Sequence, residues 1–216
     1  PQQGHHFSLG LFKNFKDNSI ETYIDGYYKL MNNLVEYKEG MDVASMMQDQ
    51  DQLYTFGRGK SYGVEFYVAK TTGKLHGFIG YTLSYTKRQF DDLNDGAWFY
   101  AKYDRRHDVS INLNYEVIPQ IITVSLVWVY ASGNSMTIPV SYYFYNGTLM
   151  TEYSDRNAYR MPAYHRLDLS VNWQFLKRRK FESGLNFSIY NLYNRKNPFY
   201  IYFDSSMTTD QQIATK

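Results

Sequence analysis

Strict alternation of apolar and polar residues constrains the fold of this chain more than any other feature. In residues 166–175, Leu167, Leu169 and Val171 alternate with polar residues, and residues 108–115 repeat the pattern. Side chains two positions apart lie on the same face of an extended strand, so this period gives each strand one apolar and one polar face. The chain is therefore predicted to be all-β.

The strands are joined alternately by tight turns and by long polar loops. Eight strands are predicted, over about 5–14, 20–37, 61–70, 75–90, 105–118, 121–132, 164–176 and 181–203. Sorting the connections by length in this way is typical of outer-membrane barrels, which have short periplasmic turns and long extracellular loops. A large soluble β-sandwich also alternates, but its strands are usually shorter and its loops are not sorted. The favoured fold class is an antiparallel transmembrane β-barrel.

The composition agrees with a barrel. Among 216 residues there are 23 Tyr, 14 Phe and 3 Trp, an aromatic content typical of the interfacial girdles of barrels. The mean hydropathy of −0.53 is low, as expected when half of every strand is polar. Cysteine is absent, which fits a protein that crosses an oxidising compartment. A net charge of +2 gives no electrostatic reason to expect nucleic-acid binding.

Four segments carry a family resemblance. Residues 61–66 with the Thr-Gly-Lys turn after them, 80–86, 103–108 and 191–196 resemble strand and loop motifs of TonB-dependent receptors, in the right order. The similarity spans about 60–203 and is greatest to the branch that often has a carboxypeptidase-regulatory-like N-terminal domain. It implies an outer-membrane protein of a Gram-negative bacterium that imports a scarce ligand with TonB-supplied energy. It implies neither an enzyme nor a cofactor.

These transporters have about 22 strands around a plug domain. The eight predicted strands therefore correspond to part of a barrel, and residues 1–216 are expected to be its late portion, with the plug domain and the final strand outside this chain. The chain starts at Pro1 without a methionine or signal peptide, as in an excerpt or a processed product. The polar residues before Lys216 are interpreted as the last extracellular loop.

The resemblance also implies partners. These are outer-membrane lipid and lipopolysaccharide around the barrel and the TonB complex acting through the plug; a surface lipoprotein is a candidate partner. An iron chelate, a vitamin, a glycan and a peptide all remain open as the imported ligand. The alternative is a barrel that serves as an adhesin or an assembly partner without transport. A plug and a TonB-contacting segment in the full-length protein would distinguish transport from that alternative.

Four charged residues occupy even positions near the predicted outer rim: Arg106, Asp108, Arg166 and Asp168. Even positions face the lumen in the predicted register, and strands two apart lie roughly 10 Å from each other. An arginine on one strand could thus meet an aspartate on the other. We interpret the four residues as a lumen ion-pair network that holds the plug. Direct contact of these residues with the ligand is the alternative.

Aromatic side chains concentrate in two of the long loops. The predicted ligand-binding residues are Trp98, Phe99 and Tyr100 in loop 91–104, and Tyr142, Tyr143 and Tyr145 in loop 133–163. Exposed rings can stack on sugars or aromatic ligands. Packing between neighbouring loops, or a membrane girdle, is the alternative.

Metal binding and catalysis lack support in the sequence. Apart from the adjacent pair His5 and His6, the five histidines show no metal-ligand spacing. The carboxylates of Asp91, Asp92 and Asp95 could hold calcium, although a solvated loop is the favoured interpretation. No nucleophile, base and orienting acid form a recognisable set.

Overall fold

The computed structural model describes residues 1–38, 53–146, 148–178, 181–199 and 201. Within these residues the chain forms thirteen strands: β1 (Gln3–Phe15), β2 (Ile20–Tyr37), β3 (Tyr54–Lys70), β4 (Leu75–Phe90), β5 (Phe99–Tyr100), β6 (His107–Ile118), β7 (Ile122–Ala131), β8 (Ser135–Met136), β9 (Pro139–Tyr145), β10 (Thr148–Tyr153), β11 (Tyr159–Arg160), β12 (Tyr164–Arg178) and β13 (Phe181–Ile189). The main antiparallel sheet has the order β1-β2-β3-β4-β6-β7-β12-β13, with β5 paired to β4. The predicted all-β fold and its eight main strands are confirmed.

Strands β2 and β4 have the predicted bounds, but β3 begins at Tyr54 and not near residue 61. A loop was predicted over about 38–60 because this stretch is rich in Met, Asp and Gln and ends in Gly57 and Gly59. Both glycines instead lie in β3, where Gly57 pairs with Phe90 and Gly59 with Arg88. A Cβ atom at residue 57 would lie 2.3 Å from the carbonyl oxygen of Gln89, so glycine here permits close packing. Residues 39–52 of the predicted loop lie outside the described residues.

Replacing Gly57 by alanine should therefore destabilise the sheet. The new methyl group would meet a backbone oxygen and the Phe90 ring, 2.4 Å away, and overpacking of this kind typically costs about 1–3 kcal/mol. Gly80→Ala is the matched control, because the nearest atom to its added Cβ is 3.9 Å away. Denaturant unfolding of the full-length protein in lipid vesicles measures both. Equal free energies of unfolding for the two variants would show that residue 57 is not tightly packed.

Strand β13 ends at Ile189, which corrects the prediction that it reaches the aromatic run at 199–203. The ladder stops where Asn191 and Asn194 adopt left-handed backbone conformations, with φ of 55° and 51°. Asparagine tolerates this conformation better than most residues because its side chain bonds locally. Here the Asn191 side chain donates to the carbonyl of Arg195 and accepts from its amide. Of the aromatic run, residues 200, 202 and 203 lie outside the described residues, as do 179 and 180 of the turn predicted before β13.

The connection from 133 to 163 was predicted as a loop, but it contains regular structure. Strands β9 and β10 form a hairpin, and β8 pairs with β11 at its root. Tyr142, Tyr143 and Tyr145 thus lie on a strand of the hairpin and not in an irregular loop. Val140 and the aromatic residues at 142–145 have high β-propensity and could have indicated this strand.

The main sheet has two chemically distinct faces. One cross-strand row joins Leu11, Ile24, Phe66, Tyr81 and Val109, and it defines the apolar face. The adjacent row defines the polar face and joins Gly10, Asp25, Glu65, Thr82 and Asp108. The predicted facing of the strand residues is thus reproduced by the register. We call the end with the long connections the loop end and the opposite end the turn end.

Apolar side chains on this sheet are unusually exposed. Leu9 is 81% and Leu11 72% accessible, and no second layer covers them among the described residues. The small buried cluster of Phe90, Leu93 and Phe99 lies at the loop end, with Leu34 packed against it. Within the described ranges β1 pairs only with β2 and β13 only with β12, so the sheet is open. No helix in this part of the chain is long and apolar enough to cross a membrane.

Candidate functional site

The connection after β4 folds back onto the sheet instead of projecting from it. Strand β5 pairs with the end of β4, and the Phe99 and Phe90 rings stack with centroids 6.1 Å apart. The turn at residues 94–96 uses positive φ at Asn94 and Asp95, which lets the chain reverse over Leu93. Burial of Phe90, Leu93 and Phe99 fixes this connection at the loop end.

A buried carboxylate joins the first long connection, residues 91–106 after β4, to the second, residues 132–163 between β7 and β12. The side chain of Asp104 has 0% exposure, and its oxygens accept from the Thr86 amide at 2.6 Å and from Arg160 Nη2 at 2.5 Å. Arg160 also donates through Nη1 to the carbonyls of Asp104 and Gly133. Charge-assisted bonds of this kind are stronger than neutral ones. Asp104 lies in the motif at residues 103–108, but the sequence pattern gives it no role, because its partner lies 56 residues further along the chain.

Further contacts dock the second connection against the first. The Asn94 side chain accepts from the Arg156 amide at 2.8 Å, and Asn157 donates to the Tyr100 carbonyl at 2.8 Å. Glu36 at the end of β2 bridges two cations, Arg88 at 3.3 Å and Arg156 at 3.7 Å. These contacts make the roots of both connections one continuous rim.

The rim encloses a hollow of about 530 Å³ on the polar face. Its lining combines acidic, basic, aromatic and amide side chains: Glu36, Thr86, Arg88, Phe99, Ala101, Lys102, Tyr103, Arg156 and Asn157. Pockets with a few convergent polar groups are the usual form of small-molecule sites. The sequence pattern does not reveal this hollow because its residues come from four separate segments.

The predicted ligand-binding aromatics fall into two groups. Phe99 is 5% exposed and belongs to the buried cluster, while Trp98 is 36% exposed. The hairpin residues Tyr142, Tyr143 and Tyr145 are exposed. Among the described residues, no ring contact joins the hairpin tyrosines to the residues around Trp98. A binding role for either group stays a prediction.

The four charged residues predicted as a network have different surroundings. Arg166 and Asp168 pair within β12 at 2.9 Å, and Arg166 lies over the Tyr190 ring at 4.0 Å. Asp168 also accepts from the Asn191 amide, so the pair supports the turn that ends β13. Asp108 lies on the polar face and forms no ion pair within the described part of the chain.

The guanidinium of Arg106 lies on the apolar face, 4.2 Å from the centroid of the Tyr85 ring and 5.0 Å from that of Tyr100. The prediction extended the alternation of β6 backwards to residue 106. The ladder begins only at His107, and the irregular segment before it does not preserve the alternation. Arg106 and Asp108 are therefore on opposite faces.

Two histidines on the apolar face bond to tyrosines. The Tyr81 hydroxyl lies 2.9 Å from His107 Nδ1, and the Tyr193 hydroxyl 2.7 Å from His165 Nδ1. Among the described residues, no group of three or more His, Cys, Asp or Glu side chains could hold a metal ion.

Comparison with known proteins identifies the class to which this sheet belongs. The family model for the TonB-dependent receptor-like β-barrel matches residues 1–192. An antiparallel sheet with one apolar face, one polar face, short turns at one end and long connections at the other is the architecture expected of that barrel. The chain belongs to the TonB-dependent receptor β-barrel family, a family of receptors and transporters. A search of curated proteins found no sequence match.

Solved structures show the same fold. The ferripyoverdine receptor of Pseudomonas aeruginosa, bound to ferripyoverdine, aligns with 94% of this chain at 13% identity and a TM-score of 0.59. The iron transporter FrpB of Neisseria meningitidis aligns with 90% at 13% identity and 0.58. The ferric-catecholate import receptor Fiu of Escherichia coli K12 aligns with 94% at 17% identity and 0.57. The alignment spans only 24%, 27% and 24% of those three chains, respectively.

Proposed function

We propose that this chain is the late part of the barrel wall of an active transporter in the outer membrane of a Gram-negative bacterium. The whole protein would import a scarce ligand with energy supplied through TonB, and its plug domain and final strand would lie outside residues 1–216. The family match supports this proposal, as do the names of the structural neighbours, which describe iron import.

The observation that carries the proposal is the division of the sheet into two faces. Exposed apolar side chains such as those of Leu9 and Leu11 suit a lipid environment, because an aqueous one would favour their burial. The opposite face has the polar rows and the rim hollow beside Glu36 and Arg88. A ligand that enters the lumen from outside would meet this hollow, whose paired acidic and basic groups suit a polar or charged ligand.

The test is an uptake screen in the native bacterium. Strains lacking this gene, or lacking the gene for TonB, are compared with wild type for uptake of radiolabelled iron on catecholate and hydroxamate chelators, of labelled cobalamin and of labelled oligosaccharides. We expect uptake of one probe to be lost in both strains and restored by the plasmid-borne gene. Normal uptake of every probe together with reduced cell attachment would favour an adhesin.

Ligand discrimination is expected to depend on the exposed hairpin. Trimming Tyr142, Tyr143 and Tyr145 to alanine removes three rings, each able to contribute about 0.5–1.5 kcal/mol by stacking. Affinity for the probe identified by the screen should fall at least about tenfold. Binding to the full-length receptor is measured by calorimetry, with surface folding checked by protease resistance.

Tyr153→Ala is the matched control, since this ring is 62% exposed at the end of the same hairpin but is not part of the predicted set. It should bind as wild type does. Unchanged affinity in a folded triple variant would remove these tyrosines from recognition.

A further inference from the structure

Cations and aromatic rings interleave on the apolar face at the loop end. Lys60 Nζ lies 4.5 Å from the centroid of the Trp98 ring and Lys87 Nζ lies 5.0 Å from that of Tyr100. Arg106 lies over Tyr100 as well. We call the side chains of Arg58, Lys60, Lys87, Arg106, Trp98 and Tyr100 the basic rim patch.

All of these cations belong to the face that elsewhere is apolar. Lys60 pairs with Lys87 in the β3–β4 register, one row beyond the Tyr62–Tyr85 pair of the same face. Two lysines directly opposite each other repel, which destabilises the ladder unless an anion lies between or above them. Their position at the end of an apolar face thus favours an anionic partner.

The patch has no acidic partner among the described residues. None of the salt bridges there includes Arg58, Lys60, Lys87 or Arg106. The Nε atom of Arg106 is buried without a hydrogen-bond partner. Two acidic side chains at this end, Glu36 and Asp104, pair with Arg88, Arg156 and Arg160, and Asp92 accepts from the Thr55 hydroxyl.

An apolar groove of about 610 Å³ begins directly beside the patch. Tyr62 and Tyr85 line it, and their stacked rings, 5.3 Å apart, separate it from the cations. Gly26 leaves the groove open between Leu9 and Val64, its partners in the same cross-strand row, because it has no side chain. Successive residues on the same face of a strand are roughly 7 Å apart. The cations of the Lys60–Lys87 row therefore lie just beyond the Tyr62–Tyr85 end of the groove.

We propose that the basic rim patch and this groove bind one lipopolysaccharide molecule of the outer leaflet. The cations would hold its phosphate groups, and the groove would take an acyl chain. Charge complementarity selects the partner, because a lipid with phosphates next to acyl chains matches cations next to an apolar groove. The inference rests on the proposed outer-membrane location, but it concerns the face opposite the rim hollow.

The test uses the full-length receptor purified in mild detergent, with purified lipopolysaccharide as the probe. The combined variant Lys60→Gln, Lys87→Gln, Arg106→Gln removes three positive charges. Affinity measured by microscale thermophoresis should fall at least about tenfold, as expected from losing charged hydrogen bonds to phosphate. Wild-type receptor should bind dephosphorylated lipopolysaccharide as weakly as the variant binds the intact lipid.

The matched control is Lys13→Gln, Lys16→Gln, Lys74→Gln, which removes the same charge at the turn end. It should retain wild-type affinity. Equal losses in the two triple variants, equal binding of intact and dephosphorylated lipid, or wild-type affinity in the patch variant would each overturn the proposal. Heat-modified electrophoretic mobility checks that every variant is folded.

Uptake measured on the same variants separates the two proposals. The patch lies on the face opposite the hollow, so the patch variant should transport at the wild-type rate while losing the lipid. Absence of transport by the wild-type receptor would contradict the proposed function and leave the lipid measurement intact.

Discussion

Arginine in place of Leu126 or Leu169 is expected to destabilise the barrel by about 2–4 kcal/mol, the cost of a cation facing lipid near the membrane midplane. Leu126 lies near the centre of β7, and its register partners are Leu113 on β6 and Leu169 on β12. Asn112→Arg and Asn172→Arg should be far milder, because these side chains lie on the polar face.

Val127→Arg provides the sharpest control for this prediction. Val127 adjoins Leu126 on the same strand but lies on the polar face, with Asn112 and Asp168 as its register partners. An arginine there meets a carboxylate and an amide instead of lipid. The free energies of unfolding are measured by denaturant titration of the full-length receptor in vesicles. Equal losses for Leu126→Arg and Val127→Arg would contradict the assignment of the faces.

Asp104→Asn is expected to loosen the rim by about 2–4 kcal/mol. The substitution leaves Arg160 without its carboxylate partner, and removing one member of a buried charged pair is costly. Arg160 is 28% exposed, so water can compensate part of the loss and the full cost of a completely buried pair is not expected. The Thr86 amide keeps an acceptor in the asparagine oxygen, which limits the damage to the ion pair.

Hydrogen exchange of the Thr86 amide and protease cleavage within 133–163 measure this loosening. Asp155→Asn is the matched control, since it also removes one negative charge, but from an exposed position within 133–163. In this variant the Thr86 amide should exchange, and residues 133–163 should be cleaved, at the wild-type rates. Wild-type protection in Asp104→Asn would show that the two connections are held by other contacts, such as Asn94 with Arg156.

The sequence predicted those parts of the fold that depend on one strand at a time. β4 has the predicted bounds because apolar and polar residues alternate from Ile79 to Thr86, and β2 has them although its pairing with β3 shifts register between Met31 and Leu34. The start of β3 was missed because Gly57 and Gly59 indicate a loop when read alone. The carbonyl oxygen of Gln89 and the Phe90 ring, both on the neighbouring strand, explain why glycine is needed at residue 57.

The candidate site was harder to predict because distant segments build it. Asp104 acquires its role from Arg160, and the Arg106 guanidinium is placed by Tyr85 and Tyr100 and not by the period of β6. Alternation gives the face of a residue only while the ladder continues. Outside the ladder, contacts with residues of other strands decide which face a side chain occupies, and the pattern of a single strand does not encode these contacts.

The hairpin β9–β10 has consequences for how such a receptor changes over evolutionary time. Its root is fixed by the β8–β11 pair and by Arg160, whereas Tyr143 and Tyr145 near its tip are exposed. Substitutions at the tip can accumulate without disturbing the root, so one part of the molecule can diversify while the other stays constant. The hairpin tip is accordingly the place where a peptide epitope could be inserted for display on the cell surface, and the root is where such an insertion should fail.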